Sequence, residues 1–492
     1  MLSTIVNYAR NQLYENETVL QPNTVDDIVQ SIKSAAAGKR KVRAIGSAHS
    51  WTRSFDNDCV IVSMRNFRKL DINTTTKLAI VGVGNTVKET QDALRDKGLI
   101  LYGTPFSLAA HIGGVLSNCV HSSGQHVFTH YITKFFLVKS DGTTAVIDAT
   151  TPSAMKAARC GLGMLGIVYE IEVQCHPAFE QLTNVAKYDL TNVPAIVQKL
   201  VANENETAPE MDDTLYLYNF VMKDFTAVGV INVKQTEPSL LDTVGSAISN
   251  AIQGIEVPGA LSSVIGDVVG TFGSTLPLQG IPIIPSSLFV ASPSIPLPGH
   301  LNVTEAMFRF QRPQYFPNQF EASAFYEYPL SYIESEWAIA IDQWKQVLED
   351  VSTAFQDVHD KQGLEYPSLP ILCRHANGIG DSTYLSPARD RETMYVTFLW
   401  IPPQSESVIP LATIPRYLPY LDAWVSVVRD KYKARQHWGK MVSTFTYKQI
   451  VDAYGQASVN AFVQQVQQYD PVGMFDSPIR RLLVDKVQYK PD

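Results

Sequence analysis

Val42-Arg43-Ala44-Ile45-Gly46-Ser47-Ala48-His49-Ser50-Trp51 is the stretch on which the reading of this chain turns. Val42 to Ile45 has the apolar, β-branched character of a strand. Gly46-Ser47-Ala48 follows with side chains small enough to let backbone N–H groups face an anion at close range, a nest that suits a diphosphate. His49, at the end of that turn, is placed to meet whatever carries the diphosphate. A lone histidine after a glycine turn is more often an ordinary structural residue, so its meaning depends on its surroundings.

Working outward, the first 178 residues alternate short apolar strands with helical patterns, as an α+β fold with repeated β-α-β turns would. Thr24 followed by Asp26 and Asp27 reads as a helix start, with Val25, Ile28, Val29 and Ile32 on one face. Strands are expected at 60–62 and 78–83, and a helix at 87–97. Two further glycine-rich passages follow. One runs Gly103-Thr104-Pro105-Phe106-Ser107 and then His111-Ile112-Gly113-Gly114-Val115-Leu116-Ser117-Asn118-Cys119-Val120-His121-Ser122-Ser123-Gly124. The other, Gly161-Leu162-Gly163-Met164-Leu165-Gly166-Ile167-Val168, leads into a strand. One glycine turn is punctuation; three in one region point to close backbone approach to a ligand.

With 492 residues, the chain is long enough for two or three lobes. Its net charge of −8 and the lack of a basic stripe argue against a nucleic-acid partner. Cys59, Cys119, Cys160, Cys175 and Cys373 lie at no metal-ligand spacing, so buried thiols are expected and no metal site. The first residues lack a basic region followed by an apolar core, so no secretory signal is visible and the location is expected to be cytoplasmic or stays unknown.

In this order, Gly46 to Trp51, Ile112 to Ser117 with His121 to Gly124, and Leu162 to Val168 resemble the FAD-binding domain, of the PCMH type, of the vanillyl-alcohol oxidase flavoprotein superfamily. His437-Trp438-Gly439-Lys440 and Asp470-Pro471-Val472-Gly473-Met474-Phe475 are similar to motifs of its aldonolactone oxidase and alditol oxidase branch. Arg374, followed by Thr383 to Pro387 and Phe398-Leu399-Trp400, resembles the alditol oxidases more than the lactone oxidases. The resemblance covers most of the chain outside about residues 230–310.

That resemblance implies an FAD joined covalently to His49. The backbone of Ala44, Ile45, Gly46, Ser47, Ala48 and Ser50 would hold the diphosphate. Ser117, Cys119, His121, Ser122 and Ser123 would line the cofactor, and Ile167 would meet its adenine end. His111 stands where a serine of the branch contacts substrate or flavin. Lys440 and Arg374 match the pair that stabilises the reacting oxygen, and His437 would contact the flavin's pyrimidine side or the substrate. The implied activity is an FAD-dependent oxidase moving a hydride from an alcohol carbon to flavin N5, with dioxygen as acceptor and a carbonyl and hydrogen peroxide as products. Alternatives are an aldonolactone or polyol oxidase in the strict sense, oxidative cyclisation of a natural product, and a retained binding module.

Three departures bear on the substrate. Leu372 stands where the branch has a glutamate two residues before the arginine, and Thr397 and Leu399 where it has a histidine and a threonine. Losing a carboxylate removes an acceptor for a polyol's hydroxyls, so a substrate less polar than a free polyol is expected. The segment from about 235 to 300 reads as an apolar insertion: a packing element, a lid or tunnel wall, or a membrane or subunit contact. The expected organisation is a two-lobed FAD-binding domain over 1–178 to which 431–492 returns, with a substrate domain over 179–430. The latter should contain an antiparallel sheet flanked by helices, with candidate strands at 215–221, 320–328 and 393–401.

Overall fold

The hydroxyl of Thr24 accepts the amide of Asp27 at 3.2 Å, and the Asp27 carboxylate accepts the Thr24 amide at 3.0 Å. This reciprocal cap satisfies two amides that a helix start leaves over, and it opens helix α1, Val25–Ala37, which buries Ile28, Ile32 and Ala35. The same device, Thr86 with Glu89, starts α2, Val87–Arg95, two residues shorter than the sequence pattern predicts. In this computed structural model the described residues are 2–57, 59–105, 109–122, 126–178, 333–364, 367, 371–400 and 418–491, with the strand backbones at 181–189, 213–219, 226–234, 275–278 and 281–285.

The fold is α+β. Strands β1 (Leu2–Val6), β2 (Leu13–Leu20), β3 (Val42–Ile45) and β4 (Val60–Ser63) form one sheet in the order β1-β2-β4-β3, with β4 parallel to both β2 and β3. Five antiparallel strands form a second: β5 (Leu70–Asn73), β6 (Leu78–Gly82), β8 (Ile132–Val138), β9 (Thr144–Ile147) and β10 (Ile167–Gln174), in the order β5-β6-β10-β8-β9. A short pair, β7 (Leu99–Ile100) and β11 (His176–Pro177), lies apart from both. Helix α1 links the parallel strands β2 and β3 across β4. Helix α4 (Pro152–Ala158) links β9 and β10, which run parallel because each is antiparallel to β8. Two β-α-β crossovers therefore each span one intervening strand. Helix α3 (Ile112–Ser117) starts at His111.

A third sheet has seven strands, all paired antiparallel: β12 (Gln181–Asp189), β13 (Asp213–Asn219), β14 (Thr226–Lys234), β17 (Ile333–Ala340), β18 (Ile371–Ala376), β19 (Thr393–Trp400) and β20 (Arg435–Gln436). Their order is β12-β14-β13-β18-β19-β17-β20, so the last strand comes from far along the chain. A further hairpin joins β15 (Thr275–Leu278) and β16 (Ile281–Pro285). The strand expected at 320–328 and the helical pattern of the apolar insertion lie outside the described residues.

Helix α5 (Trp344–Gln362) covers one face of this sheet, burying Trp344, Val347, Leu348, Val351, Phe355 and Val358 at helical spacing. Phe355 meets Phe398 of β19 edge-on at 5.4 Å. Burying side chains of this size contributes about 1.5–3 kcal/mol each. Because strand side chains alternate, the opposite face carries Glu334 and Glu336 of β17, Tyr395 and Thr397 of β19, and Leu372 and Arg374 of β18. Register sets them side by side: Glu336 opposite Thr397, Thr397 opposite Leu372, and Tyr395 opposite Arg374. Among the described residues, no helix is long and apolar enough to cross a membrane.

Candidate active site

The turn after β3 is held from three sides. Ala48 takes a positive φ of 53°, and its carbonyl accepts the amide of Tyr8 at 2.9 Å. Asn7 and Asn11 donate to the carbonyls of Ser50 and Trp51 at 2.8 and 3.0 Å. From the other side, the amide of His111 donates to the Ser47 hydroxyl at 3.2 Å. A Cβ on Gly46 would sit 3.1 Å from that of His111, a tight contact that obliges His111 to give by a few tenths of an ångström. His49 lies 2.9 Å from the Ser47 hydroxyl through Nδ1 and stacks on Tyr8 at 5.1 Å. Burial, with His111 adding to it, pushes the His49 pKa down to about 4, so its imidazole is neutral at neutral pH.

The third side is the turn His437-Trp438-Gly439-Lys440. The carbonyl of Gly439 accepts the Trp51 amide at 2.8 Å and the Ser50 hydroxyl at 3.1 Å. The hydroxyl of Thr52 donates to Trp438 at 2.6 Å and accepts the Met441 amide at 2.9 Å. Nδ1 of His437 accepts the Gly439 amide at 3.1 Å, and burial holds this histidine well below its usual pKa. These bonds tie two distant motifs together and fix where Lys440 points.

Lys440 points at two carboxylates. Its ammonium pairs with Glu334 and, at 2.8 Å, with Glu336. Glu336 also pairs with Arg374, accepts the Thr397 hydroxyl at 2.7 Å and lies 3.3 Å from Nε2 of His121. His121 in turn stacks on Tyr395 with ring centres 3.4 Å apart. Burial would raise the Glu336 pKa, yet Arg374, Lys440 and His121 outweigh it and hold the carboxyl well below the ordinary range. Glu334 goes the other way: burial raises it, and Lys440 offsets only part of that. His121, Glu336 and His437 bring donor atoms within 4.8 Å of one another. The two cations already on Glu336 would repel a metal ion, so the cluster is an ion-pair network.

Both halves of the site line one cavity of about 260 Å³. Ala44 to Ser50, His111, Ser117, His121, Ile167, Arg374, His437 and Lys440 face it. Trp51, Gly113, Gly114, Asn118 and Glu334 do so as well. Two features suit an FAD there. Nδ1 of His111 is buried with no hydrogen-bond partner among the described residues. A Cβ on Gly114 would meet nothing within 4 Å, so that glycine opens onto free space.

Other expected contacts lie elsewhere. Cys119 and Ser122 do not line the cavity: the Cys119 thiol lies 3.8 Å from the Thr129 hydroxyl, and the Ser122 carbonyl lies 2.7 Å from Nδ1 of His121. Ser123 is outside the described residues. All five cysteines are buried and none forms a disulfide. Leu372, Thr397 and Leu399 also do not line it, and Thr397 is spent on Glu336. Leu372 leaves β18 without the acceptor that a glutamate there would offer, while β17, two strands away, brings the Glu334 carboxylate to the cavity. Sequence reasoning missed Glu334 and Glu336. Their one signal was a Glu-x-Glu spacing inside an apolar run, Ile333-Glu334-Ser335-Glu336-Trp337-Ala338-Ile339.

Residues 17–148 match the family described as FAD binding domain, and residues 303–482 match D-arabinono-1,4-lactone oxidase. L-Gulonolactone oxidase of Mus musculus is 22% identical over 95% of this chain and 95% of its own length. A long-chain alcohol oxidase of an uncultured marine euryarchaeote is 28% identical over 35% of this chain, which spans 37% of that relative. L-Galactono-1,4-lactone dehydrogenase 2, mitochondrial, of Oryza sativa subsp. japonica is 26% identical over 35% of this chain and 30% of its own length. The chain is thus similar, in both matched regions, to the aldonolactone oxidase branch of the vanillyl-alcohol oxidase superfamily, whose members are FAD-dependent oxidoreductases acting on CH–OH groups.

Proposed function

We propose that this protein is an FAD-linked oxidase that converts an alcohol carbon to a carbonyl, with dioxygen as final acceptor and hydrogen peroxide as co-product. The observation that carries this reading is the lining of one cavity by the His49 turn and by Glu334, Arg374, His437 and Lys440. Bound FAD would supply the acceptor for a hydride. The chain's part is to orient the alcohol and manage charge on its oxygen. Lys440 and Arg374 stabilise negative charge as the hydroxyl proton leaves. His437, neutral and buried, contacts the cofactor or the substrate without adding charge. The neutral imidazole of His49 is the point of covalent attachment, and the backbone from Ala44 to Ser50 cradles the diphosphate.

In this reading residues 1–178 with 431–492 form a two-lobed, PCMH-type cofactor domain, and 179–430 form the substrate domain. The leading substrate is an alcohol less polar than a free polyol. An aldonolactone is the second reading, favoured by Glu334, a carboxylate facing the cavity that suits a polar substrate. A peroxide-release screen of purified holoenzyme against 1-decanol, L-gulono-1,4-lactone and xylitol tests both. Turnover of decanol alone supports the first and turnover of the lactone the second. Flavin reduction by neither class removes the proposal.

A further inference from the structure

The site holds two buried carboxylates within reach of one lysine, and they are not equivalent. Glu336 is sealed: it is fully buried, does not line the cavity, and is engaged by Arg374, Lys440, His121 and Thr397. Its position two residues along β17 from Glu334 puts both on one face of the strand. Glu334 lines the cavity, and among the described residues its ion pair is with Lys440 alone. Lys440 lines the same cavity and lies 5.6 Å from the ring centre of Trp51, which lines it too.

We infer that Glu334 is the catalytic base that takes the substrate's hydroxyl proton, and that Glu336 is a positioning residue that anchors Lys440 and Arg374. This rests on the proposed alcohol oxidation. In the step, the substrate O–H bond breaks and its proton goes to the Glu334 carboxylate. The C–H bond breaks with its electron pair, which passes as hydride to the oxidised FAD of the holoenzyme, and the carbon–oxygen double bond forms. Lys440 stands beside the oxygen as charge develops on it.

The division of labour follows from the charges around each group. A base works best when its proton affinity lies near the working pH. Glu336, held down by three neighbours with cationic or hydrogen-bonding character, is too weak a base for the task. Glu334 is raised by burial and by the negative charge of Glu336, against Lys440 and Arg374, which lower it. Among the described residues His121, His437 and Tyr395 are the other titratable groups about the pair, and burial keeps both imidazoles neutral and the phenol protonated at working pH. The carboxylate that opens onto the cavity is therefore also the one able to accept a proton.

The test compares wild type, Glu334→Gln and Glu336→Gln holoenzymes by anaerobic flavin bleaching with 1-decanol or L-gulono-1,4-lactone over a range of pH. Glu334→Gln should keep its FAD content and melting temperature while bleaching at least about 100-fold more slowly at pH 7, the scale of a lost general base. Its rate should climb with pH without the plateau of the wild type. An independent readout needs no substrate: infrared difference spectra of protein labelled with 13C-glutamate, taken across pH. They should show one carboxyl titrating above the ordinary range in the wild type and missing in Glu334→Gln. Glu336→Gln should disturb FAD content and melting as well as rate. Equal bleaching rates and pH profiles in wild type and Glu334→Gln would overturn the assignment, as would persistence of the infrared band. A wild type that no alcohol or lactone bleaches would instead overturn the oxidase reading itself.

Discussion

The backbone amide of Trp51 donates to the carbonyl of Gly439 at 2.8 Å, joining the turn after β3 to the turn that carries Lys440. Thr52 completes the junction with a hydroxyl that donates to Trp438 and accepts from Met441, both in the interior. Thr52→Val keeps the shape and strands two buried backbone groups. The expected cost is about 1–3 kcal/mol in urea denaturation. Flavin reduction should fall with it, because Lys440 is no longer held in place. An unchanged denaturation midpoint would mean that water replaces both bonds.

Arg374 neutralises a carboxylate that has no access to solvent. Arg374→Met takes away one of the two cations on that buried charge, leaving Lys440 alone, and should cost about 3–5 kcal/mol, read as a fall in melting temperature. Adding Glu336→Gln should return part of the loss, and a double-mutant cycle measures how much. If the two costs simply add, the pair is not coupled as its geometry requires.

Gly114 separates fold from cofactor. Alanine there favours helix α3 by up to about 1 kcal/mol, yet its methyl enters the space onto which Gly114 opens. Gly114→Ala should melt no lower than wild type without cofactor and carry less FAD after purification, measured by absorbance. Full FAD content in the variant would place the cofactor away from α3.

His49 is tested by acid precipitation. A yellow pellet from wild type and a yellow supernatant from His49→Ala are the expected pair. Colour wholly in the wild-type supernatant would remove the covalent link.

Histidine burial sets the acid limit. His49, His121, His130 and His176 each have a pKa pushed from 6.5 down to about 4, in every case mainly by burial. A histidine held neutral in the fold protonates more readily once unfolded, so its contribution is complete above about pH 6.5. It is lost as pH falls from there toward 4, at no more than about 1.4 kcal/mol per pH unit for each histidine. Thermal melts should be level above neutrality and fall across that window. A flat melting temperature from pH 7 to 4 would contradict the burial of these rings.

What could be read in the sequence was local. Thr24 with Asp27 and the glycine turn before His49 involve residues within a few positions of each other, so spacing alone reveals them. Glu334 and Glu336 were hidden because nothing nearby explains them. In a strand, two glutamates two apart suggest a solvent-facing edge, and their burial becomes affordable only through Arg374 and Lys440, which arrive from elsewhere in the chain. Leu372 misled for the same reason: it reported a carboxylate lost from its own strand and could not report one gained from β17.

The lashings between the front and back of the chain also impose an order in time. Lys41 and Val42 bond to the carbonyls of Gly473 and Met474, and the amide of Arg53 bonds to the hydroxyl of Tyr489. Synthesis runs from the amino end, so the turn that bears His49 leaves the ribosome long before the residues that wall it in. Until those arrive, the cradle stands open on the side of Lys440. If the flavin is held as proposed, its secure capture is among the last events in the making of this enzyme, and a nascent chain stalled before Gly439 has the histidine without the wall that closes over it.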